Sequence, residues 1–203
     1  GKCFYGLSEF EEALGHYKQA ETAAKEAEDS KALAATYNNI GLIYNAKSEY
    51  DKALEWYEES WKIAEKIGER VVLATAYNNI GGIYNSKGEY DKALAWYEKS
   101  RKLKEEIGDQ ASLARTYNNI GGIYRSTREY DRALEWYGKS LKIRKEIVYR
   151  AGLAESYNNI GAVYLSKGEY DRALEWYKKS LKIWVDIGGR VGLATTYNNI
   201  GQI

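Results

Sequence analysis

The sequence predicts an all-α fold of stacked antiparallel helix–turn–helix repeats that share one elongated core. The segment Tyr-Asn-Asn-Ile-Gly returns every 40 residues, starting at positions 37, 77, 117, 157 and 197. A second segment, Glu-Tyr-Asp-Lys/Arg-Ala-Leu-x-Trp-Tyr, starts at positions 49, 89, 129 and 169. Each unit therefore has two halves, and neither half buries its apolar residues alone. Stacking of neighbouring units solves this problem and winds the array into a superhelix.

The first half of each unit has the apolar spacing of a helix, here called helix A. In the second full unit Leu73, Tyr77, Ile80, Gly81 and Tyr84 recur at intervals of three and four residues. A glycine within such a stripe costs about 1 kcal/mol of helix propensity relative to alanine. Its return at positions 41, 81, 121, 161 and 201 predicts close backbone contact with a neighbouring helix.

The second half, helix B, follows a turn at Gly88. Glu89 places negative charge at the start of the helix, where the helix dipole favours it. Gly108 suits the left-handed conformation that commonly ends a helix. The apolar stripe between these residues consists of Tyr90, Ala93, Leu94, Tyr97, Ser100 and Ile107. The small Ala93 predicts that the two helices of a hairpin cross closely.

Eight of these residues resemble the signature positions of the tetratricopeptide repeat in order and spacing: Tyr77, Ile80, Gly81, Tyr84, Tyr90, Ala93, Tyr97 and Ser100. The resemblance covers nearly the whole chain and implies a right-handed superhelical solenoid. The period of 40 residues exceeds the usual period of about 34, and no proline ends helix B. Longer helices and junctions are therefore expected. The paired asparagines of helix A are similar to those of Pins-type adaptors, kinesin light chains and prokaryotic signalling proteins.

The register makes residues 1–203 a single solenoid. We assign a partial repeat to 1–33, full repeats to 34–73, 74–113, 114–153 and 154–193, and the start of a further repeat to 194–203. Projected backward, Gly1 aligns with Gly41 and Phe10 with Tyr50, so the first helix A is expected to be truncated. Both ends then expose apolar edges, which predicts head-to-tail self-association.

Composition limits the classes of function. Lysine and arginine total 30 against 29 acidic residues, so no basic excess favours nucleic acid or a membrane surface as partner. One cysteine and one histidine are too few for a disulfide framework, a metal site or a catalytic constellation. We therefore expect a non-enzymatic cytoplasmic protein without metal or cofactor. Cys3 aligns with Ile43, and His16 aligns with the helix B tryptophans, so packing roles are expected for both.

The candidate binding surface lies on helix A, because the resemblance implies that tetratricopeptide arrays hold ligands on the concave face that these helices line. An asparagine amide offers a donor and an acceptor, which suits the backbone of an extended peptide. Residues four and seven positions after the first asparagine share its face. The candidate peptide-binding residues are Asn38, Asn78, Asn118, Asn158, Asn198, Asn45, Asn85, Arg115, Arg125, Gly82, Gly122 and Leu165.

Two charged residues of this set suggest a preference. Arg115 and Arg125 are candidates to receive an acidic group of the partner, since guanidinium pairs with carboxylate in a fork geometry. Glu155 and Leu165 occupy the next repeat, so the surface is expected to change from basic to acidic or apolar. A solvated surface without ligand is the alternative for these four positions.

The second asparagine of each pair, at positions 39, 79, 119, 159 and 199, points about 100° away from the first on a helix. It is expected to tie neighbouring hairpins together. Two functions stay open at this point. The first is a module that binds a peptide segment of a partner protein. The second is an architectural spacer or self-associating solenoid, whose length matters more than its groove.

Overall fold

The computed structural model describes the backbone of residues 2–203 and the side chains of residues 9–203. Within the described backbone there are ten α-helices and no strand, which confirms the predicted all-α repeat fold. The helices are α1 (Lys2–Glu26), α2 (Ser30–Ala46), α3 (Tyr50–Lys66), α4 (Arg70–Ser86), α5 (Tyr90–Ile107), α6 (Gln110–Ser126), α7 (Tyr130–Glu146), α8 (Arg150–Ser166), α9 (Tyr170–Asp186) and α10 (Arg190–Ile200). The even-numbered helices are the A helices, and α3, α5, α7 and α9 are the B helices.

The first helix differs from the expectation. The projected register implied a remnant of helix A before Phe10, but α1 is continuous from Lys2 to Glu26. The turn that separates the two halves of each later repeat is absent from α1, so these residues form one helix instead of a hairpin. The packing role expected for Cys3 lies outside the described side chains.

The chain forms two compact units, Gly1–Ile107 and Gly108–Ile203. In the first unit α2 pairs with α3 and α4 with α5, while α3 packs on α4 and α1 on α2. In the second unit α6 pairs with α7 and α8 with α9, while α7 packs on α8 and α9 on α10. The A helices also contact one another within each unit: α2 with α4, α6 with α8, and α8 with α10. The two predicted halves of a repeat thus form one hairpin.

A residue with positive φ follows each helix from α1 to α9, at intervals of 20 residues from position 28 to position 188. Gly88 and Gly108 have φ values of 75° and 74°, which confirms the predicted left-handed turns. Four of these junctions carry a residue other than glycine: Glu28, Ser48, Arg128 and Val148. Val148 is β-branched with φ of 54°, a strained conformation for such a residue.

In the four A helices α2, α4, α6 and α8, a glycine lies against a buried tyrosine of the following B helix. A Cβ atom at Gly81 would lie only 2.8 Å from Cδ1 of Tyr97, so no side chain fits there without displacing the ring. The four contacts are Gly41–Tyr57, Gly81–Tyr97, Gly121–Tyr137 and Gly161–Tyr177. The tyrosines are at most 2% exposed. The close approach predicted from the recurring glycine is therefore confirmed.

A buried serine reinforces the same hairpin. Its Oγ donates a hydrogen bond of 2.7–2.8 Å to the backbone carbonyl of an A-helix alanine 26 residues earlier. The bonded pairs are Ser60–Ala34, Ser100–Ala74, Ser140–Ala114 and Ser180–Ala154. Because a buried hydroxyl without a partner is costly, this bond fixes how far the two helices are offset along their axes.

The tryptophans of the B helices are half-buried. Four of them pack on the first tyrosine of the preceding A helix, with ring centroids 5.0–5.5 Å apart: Trp56, Trp96, Trp136 and Trp176. A lysine three residues later lies 4.0–4.2 Å from the rings of Trp96, Trp136 and Trp176. These aromatic residues therefore have a packing role. His16, which shares their register, lies on the surface of α1 as expected, and its side chain is 71% exposed.

Adjacent glycines of α6 allow a matched test of this core. Gly121→Ala is expected to destabilise the protein by about 1–3 kcal/mol, because the added methyl group must displace Tyr137. Gly122→Ala is the control. Its Cβ would lie 3.7 Å from the Tyr137 hydroxyl, an ordinary contact, and alanine favours the helix by up to about 1 kcal/mol. Urea denaturation followed by circular dichroism measures both variants. Equal midpoints would contradict the proposed constraint.

The buried tyrosines predict a loss of stability in alkali. Burial raises the pKa of Tyr97 to about 12, and it also raises the pKa values of Tyr57, Tyr137 and Tyr177. The unfolded chain releases these protons near pH ~10. The contribution to stability is therefore full below pH ~10 and is lost as the pH rises through the folded-state value.

Urea-denaturation midpoints measured between pH ~9 and pH ~11 should fall as the pH rises. The variant Tyr97→Phe removes one of the titrating groups, so its midpoint should fall less steeply over the same range. A parent protein with the same midpoint throughout this range would contradict the prediction.

Candidate functional site

The paired asparagines link successive A helices within each unit. The Nδ2 atom of the second asparagine donates to Oδ1 of the first asparagine of the preceding repeat, 41 residues earlier. The bonds run from Asn79 to Asn38 (2.9 Å), from Asn159 to Asn118 (2.7 Å) and from Asn199 to Asn158 (3.1 Å). The second asparagine thus has the geometry expected of a tie between neighbouring hairpins.

This bond orients both amides and leaves each of them able to form further hydrogen bonds. It uses one hydrogen of the donating Nδ2 and one lone pair of the accepting Oδ1. The first asparagine can still donate through its own Nδ2, and the second can still accept through its own Oδ1. A peptide group carries one acceptor and one donor, which match these two capacities. The pair is therefore both a structural link and a polar feature suited to a peptide backbone.

The candidate residues differ in accessibility. Asn38 is only 7% exposed, which leaves little of it to a ligand. Asn198 and Asn85 are exposed, as is Arg115. The half-buried candidates are Asn78, Asn118, Asn158, Asn45, Arg125, Gly82, Gly122 and Leu165.

The two units divide these candidates between them. The first unit carries those of α2 and α4, which are Asn38, Asn45, Asn78, Gly82 and Asn85. The second unit brings Arg115, Asn118, Gly122 and Arg125 of α6 beside Asn158 and Leu165 of α8, with Asn198 on α10.

Charge on the A helices is strongly one-sided. These helices contain one acidic residue, Glu155, and six basic residues: Lys31, Arg70, Arg115, Arg125, Arg150 and Arg190. Three of the basic residues form ion pairs near helix ends, Lys31 with Glu69, Arg70 with Glu106 and Arg150 with Asp186. Within the described side chains, no ion pair involves Arg115, Arg125 or Arg190.

Glu155 of α8 forms an ion pair with Arg144 of α7. Arg144 is 2% exposed, and its Nη2 lies 3.3 Å from Oε2 of Glu155. Its Nη1 donates to the Gly152 carbonyl and to Oγ of Ser156. Burial lowers the pKa of the Arg144 guanidinium, and the Glu155 carboxylate opposes that shift. The section of the surface that was expected to be acidic is therefore locally compensated.

Arg144 belongs to a register that the sequence-based site missed. This position lies in the last turn of each B helix and is occupied by Ala64, Lys104, Arg144 and Trp184. Lys104 is 2% exposed, and its Nζ lies 3.4 Å from Oδ1 of Asn78. The signal was present in the sequence, because the position continues the buried stripe of helix B at helical spacing. A residue that differs between repeats thus contacts the A helices from the side of helix B.

A pocket of about 770 Å³ lies in the second unit. Trp184 and the glycines at positions 188, 189 and 192 contribute to it from one side, and Asn118, Glu155 and Asn158 from the other. A Cβ atom at Gly189 or Gly192 would overlap the Trp184 ring, so the indole occupies space that these two glycines leave open. Arg190, Val191, Thr195, Thr196 and Asn159 complete the lining. The volume is typical of a pocket that holds a small ligand or a large side chain.

In the described part of the chain, no group of three or more histidine, cysteine or carboxylate side chains is arranged to hold a metal ion. Among the helices described, none combines the length and the apolar character that crossing a membrane requires.

The sequence profile of the tetratricopeptide repeat family matches residues 1–66, 72–146 and 152–203. The chain belongs to this family. Tetratricopeptide repeats are in general protein-interaction scaffolds, so the chain is assigned as a protein-interaction module. None of the curated proteins compared with it matches.

Three solved tetratricopeptide-like structures resemble the chain. BtubC (BKLC) from P. vanneervenii is 27% identical, with a TM-score of 0.78 over 89% of this chain and 75% of that one. A Rap protein complexed with competence and sporulation factor is 20% identical, with a TM-score of 0.82 over 95% and 56% of the two chains. A putative kinesin light chain from Podosopora anserina is 15% identical, with a TM-score of 0.69 over 91% of each. The last two likenesses establish the fold alone.

A double-mutant cycle tests the link between asparagines. Asn118→Ala and Asn159→Ala should each destabilise the protein by about 0.5–1.5 kcal/mol, and the double variant should cost less than their sum, because one shared bond is lost only once. The control pair, Asn118→Ala with Asn199→Ala, shares no bond and should be additive. Urea denaturation provides the free energies of unfolding. Additive costs for Asn118 and Asn159 would contradict the observed pairing.

Proposed function

We propose that this chain binds an extended, acidic segment of a partner protein along its A helices. The observation that carries the proposal is the hydrogen bonding of the asparagine pairs, which orients an amide donor and an amide acceptor on successive A helices. Packed helices lie about 8–10 Å apart, and an extended peptide advances about 3.3 Å per residue. One asparagine pair would therefore meet roughly every third residue of the segment.

The charge distribution supports an acidic segment. Arg115 and Arg125 of α6 have no ion-pair partner within the described side chains. The one carboxylate on the A helices, that of Glu155, is compensated by Arg144. The second unit therefore offers uncompensated guanidinium groups on helices whose amides would hold the backbone. Carboxylates of the partner would pair with them in a fork geometry.

The expected affinity is moderate. Each hydrogen bond contributes only about 0.5–1.5 kcal/mol net, and ordering an extended peptide costs several kcal/mol. A dissociation constant in the micromolar range follows unless side-chain pockets add to the backbone contacts. The Rap protein solved with its bound factor is a precedent for ligand binding by this fold.

An architectural role is the alternative. In that case the solenoid would act as a spacer or associate head to tail, and the asparagine pairs would serve only to hold repeats together. Exposed apolar residues of α10 favour this possibility, with Val191 83% and Tyr197 57% exposed. The experiment below distinguishes the two functions.

Selection from a displayed random-peptide library tests the proposal. The parent chain is expected to enrich peptides that contain aspartate or glutamate. The variant with Asn78, Asn118 and Asn158 changed to alanine should lose this enrichment, because it lacks the amides proposed to contact the peptide. The matched variant has Asn79, Asn119 and Asn159 changed to alanine. It keeps the amide donors of the first asparagines and loses the acceptors of the second, so it should retain part of the binding.

All three proteins must first show equal helicity by circular dichroism. Enrichment that survives loss of the first asparagines, or equal loss in both triple variants, would count against recognition by these amides. A consensus without acidic residues would contradict the charge argument. If no peptide is enriched on the parent, the architectural role becomes the better explanation.

A further inference from the structure

We propose that the Trp184 pocket is a specificity site that receives one uncharged aromatic side chain of the bound segment. The inference rests on the proposed function, because the pocket borders the asparagine pairs of α6, α8 and α10. A segment that runs along these amides would pass the pocket. The pocket would thereby supply the side-chain selectivity that backbone hydrogen bonds cannot provide.

One wall of the pocket differs between repeats. In the preceding repeat of the same unit, Tyr149 occupies the register of Gly189, and its ring fills the space above Gly152. In the last repeat described, the Trp184 indole takes the place of that ring and lies against Gly189 and Gly192. The indole and the glycine backbone thereby line the pocket. Flat aromatic and peptide surfaces of this kind favour stacking of another planar ring.

The charges around the pocket do not favour a cationic occupant. Glu155 is the acidic residue of the lining, and the buried Arg144 compensates it, so a cationic side chain would gain little. Arg190 is the basic residue of the lining. The remaining polar groups of the lining are asparagine amides and threonine hydroxyls. The preference for an aromatic side chain therefore rests on stacking against the Trp184 indole.

Exposure at the two α10 positions that line the pocket differs from repeat to repeat. Val191 and Thr195 are exposed. Their register equivalents Thr75 in α4 and Ala151 in α8 are half-buried.

Nuclear magnetic resonance of the full 203-residue chain tests the proposal with three small probes. They are the N-acetyl methylamides of phenylalanine, lysine and aspartate. The indole N–H signal of Trp184, assigned by its loss in Trp184→Phe, should shift and saturate with the phenylalanine probe in the millimolar range. The lysine and aspartate probes should bind at least ~10-fold more weakly, because neither stacks on the indole.

Equivalent threonines of α10 and α4 provide a matched pair of variants. Each donates its hydroxyl to a carbonyl four residues earlier, Thr195 to Val191 at 3.0 Å and Thr75 to Val71 at 2.9 Å. Thr195→Phe places a ring in the pocket and should abolish the shift of the Trp184 signal. Thr75→Phe makes the same change outside the pocket and should leave the shift unaltered.

The inference is overturned if the phenylalanine probe leaves the Trp184 signal unmoved up to its solubility limit. It is also overturned if a charged probe binds more tightly, or if Thr195→Phe binds as the parent does. If the phenylalanine probe does not bind but peptides are still enriched in an asparagine-dependent way, the specificity role of the pocket is rejected and the proposed function is kept. If the phenylalanine probe binds but no peptide is enriched, the pocket binds an aromatic group and the proposal that the A helices bind an extended segment is rejected.

Discussion

The contact between the glycine of each A helix and the tyrosine of the following B helix is the constraint on which the rest of the structure depends. It brings the two helix backbones closer than any side chain at the glycine would allow, as at Gly121 and Tyr137. That distance lets a serine hydroxyl reach a carbonyl of the A helix, as Ser140 reaches Ala114. Because each hairpin is fixed in this way, asparagines of successive A helices within a unit lie within hydrogen-bonding distance of one another.

Much of the fold could be predicted because the period repeats without slippage. The recurring glycine, the small alanine of helix B and the turn residues each predicted a feature that the structure contains. Two features could not be predicted. The left-handed turns at Ser48 and Val148 are imposed by neighbouring hairpins on residues that do not prefer them. The continuous α1 departs from the register of the complete repeats, and a projection of that register cannot show where a turn is lost.

The candidate site could be predicted less completely, and the reason is geometrical. Helical spacing identifies which residues share one face of one helix, so the asparagines and arginines of helix A were found. It does not identify a side chain that reaches the same place from another helix. Lys104 and Arg144 were not recognised as part of the site, although each is 2% exposed and bonded beneath an A helix. Charge at a position within a buried stripe was the signal that could have found them.

The structure separates two kinds of position within each repeat. Glycine, tyrosine, serine and the asparagines are constant, and their contacts hold one hairpin to itself and to the next. The residues at the register of Arg144 and Trp184 differ between repeats and contact the A helices from the side of helix B. Lys104 reaches the constant Asn78, and Arg144 donates to the Gly152 carbonyl. The charge and volume beside an A helix therefore change from repeat to repeat, while the glycine–tyrosine contact and the serine bond recur. Exchanging a few side chains at such positions changes the surface of one repeat while the hairpin contacts stay the same, as Trp184 beside Gly189 and Gly192 illustrates.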